Sequence, residues 1–249
     1  MTPKPGRLYV HDDLTEIAGQ LHERCPDARP LVAALFAAMG REPHVAVLSL
    51  GEQLAGALAQ GTFAPFATTI AIGGAGERVA ARLHARAGWF PSVIRGDVRR
   101  EEDGTGDYVL TSPAPLADQL AVVTTGGAVA DDTLFTGLTM RSVLSALPRG
   151  VLERTHAFCL RGVAESIPAI QRLCPITVGF AAPGRILDDV SFINASGLVR
   201  RGAIRRVGAP PLALFEREEW MAAWFPRSRD EVMTLCRRLH GMIDAGGRP

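Results

Sequence analysis

AVADDTLFTGLTM, residues 128–140, is the stretch of this sequence that best predicts its fold. It passes from a short apolar segment into two adjacent acids, Asp131 and Asp132, then into a turn rich in threonine and glycine, and then into a predicted helix. In α/β proteins the carboxyl end of a parallel strand faces the crevice that binds ligands. The stretch therefore predicts a ligand site at the edge of a parallel sheet.

The side chains of this stretch suit one kind of ligand. Two neighbouring carboxylates can accept hydrogen bonds from a vicinal diol, or help to hold Mg²⁺ through water. Three threonine hydroxyls surround Gly137, which lets the backbone approach a ligand closely. Successive N–H groups at a helix N-terminus form a cradle for an anion. Together these groups fit a ribose that carries a 5′-phosphate.

A second transition from strand to helix lies upstream. ATTIAI (67–72) is rich in β-branched residues, as a buried strand is, and the glycines of GGAGE (73–77) predict a loop before a helix at 77–88. FPSVIRG (90–96) predicts another strand, which completes the β-loop-α-β pattern of a parallel sheet. Residues 97–115 predict a long mobile excursion with DYVLTS as the return arm of a hairpin.

Apolar spacing and turn residues predict further elements on both sides of this region. Helices are predicted at 13–24, 29–40, 51–60, 139–147, 166–174, 216–225 and 228–243, and strands at 44–50, 155–162 and 175–181. SFINASGLVRRGAIRR (191–206) predicts a hairpin at the sheet edge, or a wall of the acceptor site formed by Asn194, Ser196 and Arg200. The pattern as a whole predicts an α/β protein with a mostly parallel central sheet flanked by helices.

The bulk composition narrows the classes of function. The 249 residues are 47% apolar, and the formal net charge of +1 gives no field that would collect nucleic acid or an anionic membrane. No apolar run reaches the ~18 residues of a membrane span, and the first residues show no signal peptide. The four cysteines are widely spaced, which predicts free thiols in a reducing cytoplasm. Lys4 is the only lysine, so arginine, backbone N–H or hydroxyl groups must meet any phosphate.

Residues 128–140 resemble the 5-phosphoribosyl-1-pyrophosphate (PRPP) binding motif of type I phosphoribosyltransferases. In that motif an apolar strand, two acids and a threonine-glycine-threonine loop succeed one another. IAIGGAGERVA resembles the family's pyrophosphate loop in position and character, and residues 97–115 match its flexible flap in place and length. The resemblance covers about 65–181. It implies a single phosphoribosyltransferase-like domain with its core there and a small accessory hood from 1–64 and 185–249.

The resemblance also implies roles for individual residues. Asp131 and Asp132 would hold the ribose hydroxyls, directly or through Mg²⁺, as catalytic and metal-binding residues. The expected phosphate-binding residues are Thr133, Leu134, Phe135, Thr136, Gly137, Leu138 and Thr139, and the expected pyrophosphate-binding residues are Gly73, Gly74, Ala75, Gly76 and Arg95, with Arg99 and Arg100 as catalytic cations of the flap. The implied reaction is Mg²⁺-dependent transfer of the phosphoribosyl group to a nitrogen base or a related small acceptor, with release of pyrophosphate. A homodimer is one open assembly.

One departure and two alternatives accompany this interpretation. Phe135 stands where the 6-oxopurine enzymes of the family commonly have an aspartate, which disfavours hypoxanthine or guanine as the acceptor. A non-catalytic protein of the same fold that senses PRPP or a nucleotide fits the same motif, although the glycine-rich upstream loop favours the enzyme. A phosphatase-like domain with Asp131 as nucleophile is weaker, because the acid–x–acid spacing of that class is missing.

Overall fold

The structure is a computed structural model that describes residues 6–21, 25–105 and 107–246. In chain order its elements are β1 (Arg7–Asp12), α1 (Leu14–Leu21), α2 (Ala28–Met39), β2 (Val45–Ser49), α3 (Leu50–Ala59), β3 (Thr69–Ile72), α4 (Gly73–Ala87), β4 (Val93–Gly96), β5 (Arg99–Glu102), β6 (Tyr108–Thr111), α5 (Leu116–Gln119), β7 (Ala128–Leu134), α6 (Leu138–Ser145), α7 (Arg149–Leu152), β8 (His156–Val163), α8 (Ile167–Gln171), β9 (Ile176–Ala182), β10 (Val190–Asn194), α9 (Ala195–Val199), β11 (Ile204–Arg206), β12 (Ala209–Leu212), α10 (Glu218–Trp224) and α11 (Arg229–Gly246). Short 3₁₀ helices at Ala164–Ser166 and Leu214–Glu216 precede α8 and α10.

Most of the predicted elements are confirmed within a few residues, including the hairpin arms β5 and β6 between 97 and 115. The predicted helix at 13–24 begins as α1, and its residues 22–24 lie outside the described part of the chain, as does Gly106 of the hairpin. Two predictions are wrong. Residues 73–77 form the first turn of α4 rather than a loop, and 191–206 contains β10, α9 and β11 rather than a hairpin.

The chain divides into two compact units. The first contains the described residues of 1–50, 102–107 and 187–249, and the second contains residues 51–101 and 108–186. The core expected at 65–181 falls in the second unit, apart from 102–107. The expectation of one domain with an accessory hood stays a prediction.

The first unit is built on a parallel sheet with the strand order β10-β1-β2. Leu8 and Val10 of the central strand β1 are fully buried, and α2 packs against α11. The antiparallel pair β11 and β12 also belongs to this unit, and Arg206 of β11 is in register with Glu102. Glu102 in turn accepts a hydrogen bond of 2.5 Å from the guanidinium of Arg217.

The second unit is built on a five-stranded sheet with the order β4-β3-β7-β8-β9, in which every pair of neighbours is parallel. Every residue of β3 is buried, and β8 is buried from its second residue onward, as expected when helices cover both faces of a sheet. This is the α/β architecture that the sequence predicts. It brings the carboxyl end of β7 to the centre of one sheet edge.

Two glycines let helices lie directly on this sheet. A Cβ at Gly76 in α4 would lie 2.3 Å from the carbonyl oxygen of Ala130, and one at Gly56 in α3 would lie 2.0 Å from that of Gly179. On the other side of the strands, apolar side chains of α6 and α8 join the buried cluster that contains Val129. Because both contacts are with backbone atoms, neither glycine can carry a side chain without a shift of its helix.

An aromatic cluster surrounds Phe158 of β8. Its ring lies 5.0–5.6 Å, centroid to centroid, from the rings of Phe63, Phe66, Trp89 and Phe90. Edge-to-face and tilted pairs of this kind stabilise a core beyond simple burial. The cluster fixes the segment between α3 and β3 against the sheet.

The structure confirms the prediction of free thiols. All four cysteines are free, and Cys159, Cys174 and Cys236 are buried. Burial raises the pKa of Cys174 to about 11 and that of Cys236 to about 12, so both remain protonated at neutral pH. No helix in the described residues combines the length and the apolar character needed to cross a membrane.

Candidate functional site

The two acids of residues 128–140 lie inside β7 rather than after it. The strand runs through Leu134, and Asp131 is in register with Cys159 of β8. The sequence predicted the acids at the carboxyl end of a strand, and the strand continues to Leu134, two residues beyond Asp132. As a result, the sheet itself holds the backbone on which both carboxylates stand.

Asp131 is a buried acid with only 9% of its surface exposed. Burial raises the pKa of its carboxyl well above the ordinary value, and the charge of Asp132 raises it further. The N–H of Asp132 donates to Asp131 Oδ1 at 2.8 Å and acts in the opposite direction, as does the charge of Arg161. A cation or hydrogen-bond donor arriving beside Asp131 would therefore favour its charged form.

Asp132 is held by a buried arginine that sequence reasoning did not identify. Arg161 of β8 is fully buried, and its Nη2 donates to Asp132 Oδ2 at 2.9 Å. Its Nη1 donates to Gln53 Oε1 at 3.2 Å, and Gln53 in α3 is itself 1% exposed. The signal was present in the sequence, because Arg161 is the one charged residue between Ala157 and Val163 of an apolar strand.

The threonine-glycine turn forms a pocket together with Asp131. The lining consists of Arg100, Asp131 and residues 133–140, and the volume is about 40 Å³. Gly137 has a φ of 74° and caps the N-terminus of α6, where the N–H of Leu138 donates to Thr136 Oγ1 at 3.3 Å. The next N–H groups of the first turn have no preceding helical carbonyl to bind. The turn therefore presents amides and hydroxyls at the pocket.

A buried serine supports the turn from the next strand–helix connection. Ser166 is 6% exposed, and its hydroxyl donates to the carbonyl oxygen of Phe135 at 2.5 Å. Ile170 of α8 and Leu134 lie close to Gly137, within 3.5 Å of where its Cβ would be. Ser166 is a second residue that sequence reasoning missed, since a serine before a helix predicts only a cap.

The predicted pyrophosphate loop is helical. Gly73, Gly74, Ala75 and Gly76 form the first turn of α4, and Gly73 has a φ of 54°. Gly76 is buried against Ala130 and Ala71, so its small size serves helix–sheet packing. The open N-terminus of this long helix remains a place where an anion could bind, and the binding role of these residues stays a prediction.

The three predicted cations lie in different surroundings. Arg95 is exposed and donates to Asp97 Oδ1 at 2.7 Å and to Glu77 Oε2 at 3.2 Å, which raises its pKa. Arg100 lines the pocket, with its guanidinium carbon 4.5 Å from the centroid of the Tyr108 ring. Arg99 is exposed on β5 and is not among the residues that line this pocket. The structure thus brings together Arg100, Asp131 and residues 133–139, but not Arg95 or Arg99.

Asp131 is the acid of the pair that suits a metal ion arriving with its ligand. In the described part of the chain, no group of three or more histidine, cysteine, aspartate or glutamate residues could hold a metal ion. Asp131 offers one buried carboxylate at the pocket, while Asp132 already pairs with Arg161. Mg²⁺ commonly binds through one or two carboxylates plus substrate phosphates. The donor set fits that mode.

Comparisons with known proteins find only distant structural similarity. No protein-family model matches the sequence, and no curated protein matches it. Similar solved structures include a protein from Aquifex aeolicus (16% identity, 47% of this chain, TM-score 0.32), an orotate phosphoribosyltransferase from Aeropyrum pernix (21%, 53% of this chain and 70% of that chain, 0.35) and a purine phosphoribosyltransferase from Pyrococcus horikoshii (15%, 75% and 92%, 0.33). This chain spans about half, 54%, of the Aquifex protein. All three TM-scores are too low to define a family.

Proposed function

We propose that the second unit binds PRPP at the carboxyl end of β7 and transfers its phosphoribosyl group to a nitrogen base or a related small acceptor, releasing pyrophosphate. One observation carries the proposal: Asp131 and the amide-rich turn at the start of α6 line the same pocket. A carboxylate next to an anion cradle is what a ribose 5-phosphate requires.

Each end of the sugar phosphate has a partner in this arrangement. The 5′-phosphate would accept from the hydroxyls of Thr133, Thr136 and Thr139 and from the first-turn amides of α6. Because the pocket is small, about 40 Å³, we place the 5′-phosphate in it and the ribose over Asp131 at its mouth. Asp131 would then accept from a sugar hydroxyl.

Arg100 and a bound Mg²⁺ would balance the negative charge of the phosphoryl groups. Arg100 would place a positive charge beside the phosphoryl groups, since no lysine is present beyond Lys4. When bound, Mg²⁺ would neutralise charge on the leaving pyrophosphate, and Asp131 is the residue we assign to it. Positioning and electrostatic stabilisation supply most of the rate in reactions that need little covalent help. Phe135 leaves no acid at its position to exchange a proton with the acceptor.

A second candidate is a protein of the same kind that binds PRPP or a nucleotide without turnover. It is favoured by the surroundings of the predicted pyrophosphate site. Arg95 already pairs with Asp97 and Glu77, and residues 73–76 form a helical turn. Fewer groups are then available for a leaving pyrophosphate than for the 5′-phosphate.

One experiment separates the two candidates. The protein is incubated with PRPP, Mg²⁺ and a panel of bases, while calorimetry measures PRPP affinity and a coupled assay measures pyrophosphate. Acceptor-dependent release supports the transferase, and binding without release supports the sensor. Asp131→Asn should weaken PRPP binding by about 1–3 kcal/mol, the usual loss for a hydrogen bond to a charged group. Asp12→Asn, at the end of β1, is the matched control; equal affinities for wild type and Asp131→Asn would refute both candidates.

A further inference from the structure

Arg161 is a cation in a place where cations are rare. Its side chain is fully buried in β8, a strand of otherwise apolar and small residues after His156. Taking a guanidinium out of water costs several kcal/mol unless a partner compensates. The compensation comes from Asp132 at 2.9 Å and Gln53 at 3.2 Å.

The two acids next to Arg161 face different surroundings. Asp131 belongs to the lining of the pocket with the threonine turn, and Asp132 does not. One oxygen of Asp132 is engaged by the guanidinium, whose other arm is fixed by Gln53 in α3. The N–H of Asp132 donates to Asp131 Oδ1 at 2.8 Å. This hydrogen bond connects the backbone at residue 132 to the carboxylate at the pocket.

We infer that Arg161 is a positioning residue, which holds Asp132 as a fixed member of the pair so that Asp131 alone meets the sugar of PRPP. This inference rests on the proposed function. It replaces the expectation that both acids bind the ribose hydroxyls with a division of roles. Arg161 offsets the charge of Asp132, and the anchored backbone at 132 orients the carboxylate of Asp131.

A double-mutant cycle tests this inference, with PRPP and Mg²⁺ as the ligand and calorimetric affinity as the measurement. Arg161→Met should weaken PRPP binding about tenfold or more, because the charge of Asp132 is then uncompensated beside Asp131. Arg161→Lys keeps the charge and should recover most of that loss. In an Asp132→Asn background, Arg161→Met should cost less than about threefold, since the charge through which it acts is gone.

Two further variants distinguish a positioning role of Arg161 from a general loss of folding. Gln53→Met keeps every charge but loosens one arm of Arg161, and a loss of about two- to fivefold in PRPP affinity is expected. Arg149→Met makes the same substitution as Arg161→Met at an arginine whose side chain is 93% exposed, and it should bind PRPP like wild type. Circular dichroism and unfolding midpoints identify any variant that is not folded under the assay conditions.

The outcomes are distinct from those of the proposed function. If wild type binds PRPP and Asp131→Asn binds it more weakly, the proposed site stands and the cycle decides the role of Arg161. Losses from Arg161→Met and Asp132→Asn that multiply in the double variant would overturn the inference, as would wild-type affinity in folded Arg161→Met. If wild type does not bind PRPP, the proposed function and this inference fall together.

Discussion

β1 and β7 have similar sequences at their carboxyl ends, VHDDLT at 10–15 and VADDTL at 129–134, yet their aspartates make different contacts. At the end of β1, Asp12 accepts from the N–H and the hydroxyl of Thr15, and Asp13 accepts from the N–H and the hydroxyl of Ser196. Both acids are thus engaged by nearby turns. In β7 one acid pairs with a buried arginine and the other lines a pocket.

The difference comes from the residues after each acid pair and from the groups that lie beside it. After Asp13 the helix α1 begins at once, so the carboxylates serve the first turn of that helix and of α9. After Asp132 the strand continues to Leu134 and turns at Gly137 before α6 begins. Two adjacent acids at the end of a parallel strand therefore do not define a ligand site. What distinguishes the second pair is a neighbouring pocket lined by the threonine turn and a buried counter-ion, Arg161.

The largest expected effect is on stability at Asp132. Asp132→Ala removes the carboxylate that pairs with a fully buried guanidinium, and should lower the free energy of unfolding by about 3–5 kcal/mol. Asp13→Ala, which removes the acceptor for the N–H and the hydroxyl of Ser196, should cost about 1–3 kcal/mol. Urea denaturation of both variants measures the contrast. Equal losses would mean that the buried ion pair contributes no more than the serine contacts.

The next prediction concerns the pH dependence of stability at Asp131. Because the folded-state pKa of this acid is raised, the folded protein binds a proton more tightly than the unfolded chain. Stability should therefore fall as pH rises from the ordinary aspartate value to the raised one. Asp131→Asn should remove that fall and be more stable than wild type at neutral pH, as followed by unfolding midpoints. Asp12→Asn should keep the wild-type slope in this window, because Asp131 is intact.

A smaller effect is expected at the glycine behind the acid pair. In Gly76→Ala the new methyl group would lie 2.3 Å from the carbonyl oxygen of Ala130, next to Asp131, and the variant should lose about 1–3 kcal/mol. Gly197→Ala, in the first unit, would meet the side chains of Ala203 and Leu214 at 3.3 and 3.4 Å. These contacts need a shift of only a few tenths of an ångström, so the change in unfolding free energy should be under about 1 kcal/mol. A larger loss at Gly197 would contradict this ranking.

The smallest effect is expected at Asp12. Asp12→Ala removes the acceptor for the N–H of Thr15 and should cost about 1 kcal/mol, as losses of helix-capping side chains do. PRPP affinity should not change, because the first acid pair has no part in the proposed site. Thermal unfolding and PRPP calorimetry of the same sample check both statements. A clear loss of PRPP affinity in Asp12→Ala would contradict the proposal that only the second acid pair belongs to the binding site.

The sequence allows prediction of the elements whose signals are local. The strands around Ile70 and Val129 are short apolar runs, and α4 ends at Gly88 in the left-handed conformation, as its sequence predicts. The prediction for 191–206 is wrong because β10 pairs with β1, about 180 residues earlier, and no local pattern reveals such a partner. GGAGE predicts a loop because glycines normally interrupt helices, whereas Gly76 is needed for contact with the sheet.

The part of the candidate site that is local in sequence is also predictable. The threonine turn and Asp131 are contiguous in sequence, so the pattern places them together. Arg161 and Gln53 come from β8 and α3, and only the parallel pairing of β7 with β8 brings Arg161 beside Asp132. The sequence predicts an Arg95 available for pyrophosphate, but its contacts with Asp97 and Glu77 depend on side-chain conformations that spacing does not encode.

The aromatic cluster around Phe158 has an optical consequence. Trp89, which is 2% exposed, is the one tryptophan of the second unit, whereas Trp220 and Trp224 belong to the first. Replacing those two by phenylalanine would leave an intrinsic fluorophore that reports on the second unit alone. Its emission should shift to longer wavelengths when that unit unfolds, which separates the unfolding of the second unit from that of the first.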